Sequence, residues 1–255
     1  MAAFPLMLPG TSRPPKLVVF DLDHTLIACD ATILWTEFLY EKKIVTDPIW
    51  RQYDRDMVKS YAKGVLDIRD FCRKHAGAFR SIPEEKLHAL AQEFAKKKIA
   101  PLIFPDGKKW AKNALQANIP ACVLSASAAF IVKPIAKLFG LTDAMGIELA
   151  FKDGFCTGEI VGIPTFQEGK VERLSERLAE AGIDFEDVLF FTDSRNDLPL
   201  AERAGYTVCV NPDAVLESSA RKNGWKVAEW KLSLRTQMTA QVDAKGVPET
   251  QTVRS

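Results

Sequence analysis

Nowhere among the 255 residues does an apolar run reach the roughly 18 positions that a membrane-crossing helix needs, so no transmembrane helix is expected. No excess of either charge is present: 34 Lys and Arg face 33 Asp and Glu. That balance argues against a nucleic-acid partner, which calls for a basic excess or stripe, and favours a soluble protein that meets small molecules. Cysteine is sparse. Cys29, Cys72, Cys122, Cys156 and Cys209 are odd in number, widely spaced and without a C-x-x-C pair, which speaks against a disulfide framework or a structural zinc site and for reduced thiols in the cytoplasm. The stretch Met1 to Lys16 lacks a basic residue ahead of its apolar part and is broken by Pro5, Pro9, Pro14 and Pro15, so it reads poorly as a secretory leader.

What is present is apolar material in a regular pattern. Residues 17–20, 121–124, 188–191 and 207–210 are short apolar runs that end abruptly, as buried parallel strands do. Helical stretches at 107–117, 170–181 and 197–204 precede the later three, and strands alternating with helices predict an α/β fold with a Rossmann-like parallel sheet. The roughly 100 residues between the first two strands are far too many for a simple crossover. They read as helices at 31–43, 48–63, 67–79 and 84–100, punctuated by Gly64, Gly77 and Pro83. The organisation expected is a core of 16–29 plus 105–230, an inserted all-helical cap at 30–104 and a polar tail at 231–255. Asp153-Gly154 between apolar runs predicts a small β-hairpin over 147–161.

Three of the strands end in reactive groups. Asp21 and Asp23 leave the first; Ser125 leaves the second; Asp193, followed by Asn196 and Asp197, leaves the third. In an open parallel sheet ligands bind outside the carboxyl ends of the strands, so these groups are expected to converge. Several carboxylates in one small mouth repel one another and call for a cation. An all-oxygen site of few carboxylates suits magnesium, which keeps several waters and binds beside phosphates. Lys170, at the start of a predicted helix, adds a fixed positive charge. Asp30 is a plausible N-cap for helix 31–43.

At this point the chain resembles a known family. Asp21-Leu-Asp-His-Thr-Leu26 resembles the D-x-D-x-T-L signature of the haloacid-dehalogenase-like (HAD) superfamily; Ser125, Lys170 and Asp193-Ser-Arg-Asn-Asp197 fit its second, third and fourth motifs. The helical insert and the stretch Asp193 to Leu200 are similar to the phosphoserine-phosphatase-like branch, subfamily IB. The resemblance implies a phosphatase in which Asp21 attacks phosphorus and Asp23 serves as acid, then base. It implies Mg²⁺ held by Asp21, the backbone carbonyl of Asp23, and Asp193, with Asp197 supporting the metal shell or orienting Lys170, and with Asn196 beside it. Ser125 and backbone N–H groups near Ala126 would hold the phosphate oxygens. The branch usually carries a Glu where this chain has Asp30, the residue that reads the substrate's amino group; Arg69 or Arg73 would read a carboxylate.

The substrate expected is a small phosphorylated metabolite, with phosphoserine as the family default and histidinol phosphate or another amino-alcohol phosphate as the alternative. A phosphotransferase and a non-catalytic binding protein on the same fold remain open. No nucleic acid or membrane is expected as a partner, and the chain is expected to be a monomer or homodimer.

Overall fold

A computed structural model of the chain describes residues 13–233. Its centre is a six-stranded parallel sheet in the order β3-β2-β1-β6-β7-β8, made of β1 (Leu17–Phe20), β2 (Ala121–Ala128), β3 (Asp143–Ile147), β6 (Val188–Thr192), β7 (Tyr206–Val210) and β8 (Lys226–Ala228). All four residues of β1 are buried. Leu17 and Val19 pack on one side of the sheet and Val18 and Phe20 on the other, so the two-residue period of a strand feeds two cores. This is why the sequence shows a continuous apolar run there rather than an alternation.

Helices cover both faces. On one face lie α7 (Glu168–Ala181) and the single turn α8 (Leu198–Ala201), which bring Val171, Leu174, Leu178 and Leu200 against β1 and β6. On the other lie α5 (Pro105–Gln116) and α6 (Ala129–Ala136), while α9 (Ala214–Asn223) packs beside β7 and β8. Between β1 and β2 come α1 (Ala31–Glu41), α2 (Ile49–Ala62), α3 (Ile68–His75) and α4 (Glu84–Phe94). The α1 and α4 helices reach the main core through Trp35, whose ring meets Phe94 at 5.4 Å and Phe130 of α6 at 5.6 Å, both edge to face. Such pairs each add about 0.5–1.5 kcal/mol beyond their buried area.

Several elements differ from the pattern read along the chain. The helix expected over 84–100 stops at Phe94 and continues as a wider turn over Ala95–Ile99 and a tight one over Ala100–Leu102. Pro101 lacks the N–H that a regular helix requires there. Strand β2 runs on to Ala128 instead of ending at Leu124, so Ser125 lies within the strand. The hairpin is β4 (Leu149–Lys152) with β5 (Phe155–Ile160), while Gly146 and Ile147 belong to β3 of the main sheet. In β3, a Cβ at Gly146 would stand 2.8 Å from the Ala129 backbone, so only glycine allows the strand to sit so close to α6. Helices α6 and α9 and strands β3 and β8 have no counterpart in the sequence reading; Pro134 inside α6 masks its helical signal. Residues 234–255, most of the expected polar tail, lie outside the described residues.

Candidate active site

Strand β1 sits where the strand order reverses, with β2 on one side and β6 on the other. The Asp21 N–H continues the ladder by donating to the Phe191 carbonyl at 2.9 Å, which aims Asp21 out of the sheet's carboxyl edge. The chain then turns within Leu22–Ile27: the N–H groups of Leu26 and Ile27 both donate to the Leu22 carbonyl, and His24 takes a positive φ of 53°. A non-glycine residue in that region is uncommon and clusters at functional sites.

Lys170 ties the cluster together. Its Nζ lies 2.7 Å from Asp21 Oδ1 and 2.8 Å from Asp197 Oδ2, and its side chain is 1% exposed. Asp197 also accepts from the Thr192 hydroxyl at 2.7 Å. Burial pulls the Lys170 amine down, but Asp197 and Asp21 outweigh it and hold the amine above its ordinary value, so it stays charged. Burial raises Asp21; Lys170 opposes that shift and Asp23 adds to it. Asp193 accepts from the Thr25 hydroxyl at 3.2 Å and is pushed well above the usual carboxylate range by burial, then by Asp21 and Asp197.

Asp23 turns the other way. Its carboxylate accepts from the Ala31 N–H at 2.6 Å, the Ser127 hydroxyl at 2.9 Å and the Ser125 hydroxyl at 3.1 Å. Burial, with Asp30 adding, moves it up to about 6, near the pH at which a group can both give and take a proton.

These groups open into a cavity of about 390 Å³ walled by the carboxyl ends of the strands and by helices α1, α2 and α3. Asp21, Asp23, Asp30, Ala126 and Asp193 line it. Ser125 does not: it is fully buried, and it is Ser127, two residues on along the same strand, that reaches the cavity. The two-residue period of β2 carried that signal, but the sequence reading ended the strand too early to use it. Tyr61, Met57 and Phe71 are further wall residues that the sequence did not single out.

Asp30 occupies both places foreseen for it, accepting from the Ile33 N–H at 3.0 Å as the N-cap of α1 while facing the cavity. Arg69 and Arg73 lie away from the cavity, directed to the Gly162 carbonyl and to Glu159 beside it. Their helix turns that face towards the β4–β5 hairpin. Asn196 spans from the core to α2: its amide donates to the Tyr61 carbonyl at 3.0 Å and accepts from Gln167 at 3.2 Å.

Among the described residues no three His, Cys, Asp or Glu side chains stand close enough together to hold a metal ion. Two carboxylates, Asp21 and Asp193, do face the cavity together, and Asp21 adds to the burial that raises the proton affinity of Asp193. That leaves part of any cation's shell to backbone oxygen and water, a donor set that fits magnesium and not a metal demanding a full protein cage.

A model of the family described as haloacid dehalogenase-like hydrolase matches residues 18–202, and the chain belongs to that family. Within it, the chain is an enzyme of the phosphatase kind. Over 220 residues it is 35% identical to a protein named histidinol-phosphatase from Neisseria meningitidis serogroup C (strain 8013), covering 85% of this chain and 99% of that one. It is 27% identical over 239 residues to a phosphoserine phosphatase of Mycobacterium tuberculosis (strain ATCC 25618 / H37Rv), covering 90% of this chain and 77% of that one. A solved structure of a protein with unknown function from Bordetella pertussis Tohama I superposes with a TM-score of 0.75 at 31% identity, covering 83% of this chain and 96% of that one. A phosphoserine phosphatase with a phospho-aspartyl intermediate analogue shares the fold at a TM-score of 0.63 and 21% identity, covering 89% and 99%.

Proposed function

We propose that the chain is a magnesium-dependent phosphomonoester hydrolase that works through a phosphorylated Asp21 and takes an amino-alcohol phosphate, with histidinol phosphate as the leading candidate. The carrying observation is the charge of the cavity wall. Among the described residues Asp21, Asp23, Asp30, Glu37 and Asp193 line it and no lysine or arginine does. A substrate carboxylate entering there would lose its water without gaining a cation, which is costly. A substrate ammonium would meet Asp30, and an apolar or aromatic body would meet Met57, Ile68 and Phe71. Phosphoserine carries the carboxylate; histidinol phosphate carries the amine and an imidazole without it. The 35% identity to the Neisseria histidinol-phosphatase supports the same choice.

The chemistry follows from the residues. One oxygen of Asp21 is held by Lys170, leaving the other free to form a bond to phosphorus as the bond to the alcohol oxygen breaks. Asp23 gives its proton to the departing alkoxide. It then takes a proton from water, which adds to phosphorus and releases phosphate from Asp21. Two easier steps replace one hard one. Asp21, the Asp23 carbonyl and Asp193 would hold Mg²⁺, which supplies charge neutralisation for the transferring phosphoryl group. Helices α1–α3 serve as the cap that excludes water and shapes the cavity.

Phosphate release from histidinol phosphate should exceed that from phosphoserine by about 10²-fold in kcat/KM, the scale on which an unpaired buried charge discriminates. Equal or better turnover of phosphoserine sinks the substrate choice. Chelation of divalent metal should stop release from every substrate and added Mg²⁺ should restore it; activity that survives chelation rules out the metal. Asp23→Asn should lower kcat by about 10²–10⁴-fold on an alkyl phosphate and by less on p-nitrophenyl phosphate, whose leaving group needs no proton. An equal loss on both would remove Asp23 from the acid role. The same assays with an added alcohol acceptor separate hydrolysis from phosphoryl transfer.

A further inference from the structure

Beside the cavity, and outside its wall, three polar side chains meet in the apolar packing between the helices of the insert. Thr36 is fully buried on α1, Asp54 is 4% exposed on α2 and His75 is 5% exposed on α3. The Thr36 hydroxyl lies 2.9 Å from His75 Nε2, and the same nitrogen is 3.5 Å from Asp54 Oδ1. Neither oxygen of Asp54 has a hydrogen-bond partner among the described residues. A buried carboxyl left that way is rare and calls for an account. The three residues join the helices that roof the cavity. Met57 and Tyr61 line it from α2, within two turns of Asp54. Phe71 lines it from α3 and stacks on the His75 ring, with centroids 5.1 Å apart and planes 18° from parallel. Phe79 meets the same ring edge to face at 5.7 Å.

We infer that Thr36, Asp54 and His75 form an uncharged polar clamp, which ties α1, α2 and α3 together and positions the roof of the substrate cavity. They are positioning residues: none of them lines the cavity, and each acts through Phe71, Met57 or Tyr61.

The protonation follows from the surroundings. Burial moves Asp54 up to about 7; Asp30 and Glu37 on the α1 side add to it, and neighbouring Arg55 opposes it. Burial alone moves His75 down to about 4. Between those values Asp54 keeps its proton and His75 is neutral, so nothing charged is buried. For Asp54 the folded value lies above that of the free acid, so stability present at low pH is lost as pH rises through about 7. For His75 the folded value lies below that of the free imidazole, so stability is lost as pH falls through about 4. The Asp54 contribution therefore loosens the roof on the alkaline side.

The test compares the wild type with Asp54→Asn, whose amide matches the protonated acid in shape and cannot ionise. The wild-type urea midpoint should fall between pH 6 and pH 8 (chosen about one unit below and above the Asp54 transition), whereas that of the variant should not, so that at the upper pH the variant equals or exceeds the wild type. With p-nitrophenyl phosphate as probe, KM of the wild type should rise about three- to tenfold more than that of the variant over this range, with the ratio of their kcat values steady. In the wild type, imidazole ¹⁵N shifts should show His75 neutral at pH 7, a reading that needs no variant to fold. A doubly protonated His75 at pH 7, or an Asp54→Asn midpoint lowered equally at both pH values, would identify a charged Asp54–His75 pair and overturn the clamp. The KM measurement rests on the phosphatase reading. The unfolding and imidazole measurements do not, so a chain that releases no phosphate still decides the clamp.

Discussion

Asp21→Asn is expected to abolish phosphate release, by about 10⁴–10⁶-fold in kcat, the scale seen when a covalent nucleophile is removed. The argument is geometric. Asp21 is the carboxylate that continues β1 out of the sheet, it lines the cavity, and Lys170 holds one of its oxygens at 2.7 Å. An asparagine keeps the shape and can still accept from Lys170 through its carbonyl oxygen, so the fold has little reason to fail. It also removes one member of a crowd in which Asp21 pushes the proton affinity of Asp193 up. The urea midpoint of the variant should therefore match or exceed that of the wild type, a common outcome where a site has been selected for chemistry rather than stability. Acid-quenched wild-type enzyme mixed with substrate should carry the mass of one added phosphoryl group and the variant should not. An active Asp21→Asn enzyme would dismiss the covalent mechanism. A wild type that turns over without ever carrying the phosphoryl group would point to direct attack by water.

Lys170→Met has the opposite signature: it should cost both activity and stability. Lys170 is 1% exposed and bridges Asp21 to Asp197. Methionine fills similar volume but leaves two buried carboxylates facing each other with no cation between them. Removing one partner of a buried ion pair typically costs about 3–5 kcal/mol, which is a large part of the stability of a domain of this kind. The loss in kcat should be about 10²–10³-fold, as for other fixed charges aimed at a developing negative charge. Lys170→Arg should recover little of either, because a planar fork cannot replace a compact ammonium held between two carboxylates in a closed space. Thermal unfolding and phosphate release decide the matter together. A Lys170→Met protein as stable as the wild type would mean that the carboxylates are balanced by something other than this lysine.

The convergence of Asp21, Asp23, Lys170, Asp193 and Asp197 was legible in the chain because each follows an apolar strand or opens a helix. The physics of a parallel sheet brings all such positions to one edge. The extra length of β2 beyond Leu124 has a simple cause. Ser-Ala-Ser-Ala has no hydrophobic content by which to extend a strand, so β2 seemed to end at Leu124; pairing with β3 carries it to Ala128 and makes Ser127 the residue that faces the cavity. Arg69 and Arg73 lie outside the cavity lining for a different reason. A helix can be read from periodicity, but which of its polar positions faces a neighbour depends on how it is docked, and α3 docks with those arginines towards the β4–β5 hairpin.

The amino-acid sequence by itself determined the α/β class, the family, the central strands and the order of the reactive groups, because apolar periodicity and short motifs are local properties of the chain. Only the tertiary structure decided the rest. Which side chains line the cavity, that no lysine or arginine does so among the described residues, and that Thr36, Asp54 and His75 meet between three helices all depend on the packing of segments far apart in sequence. Charge inside a cavity is a sum over whatever the fold brings there, and the desolvation that raises Asp54 and lowers His75 exists only once those helices have closed over them.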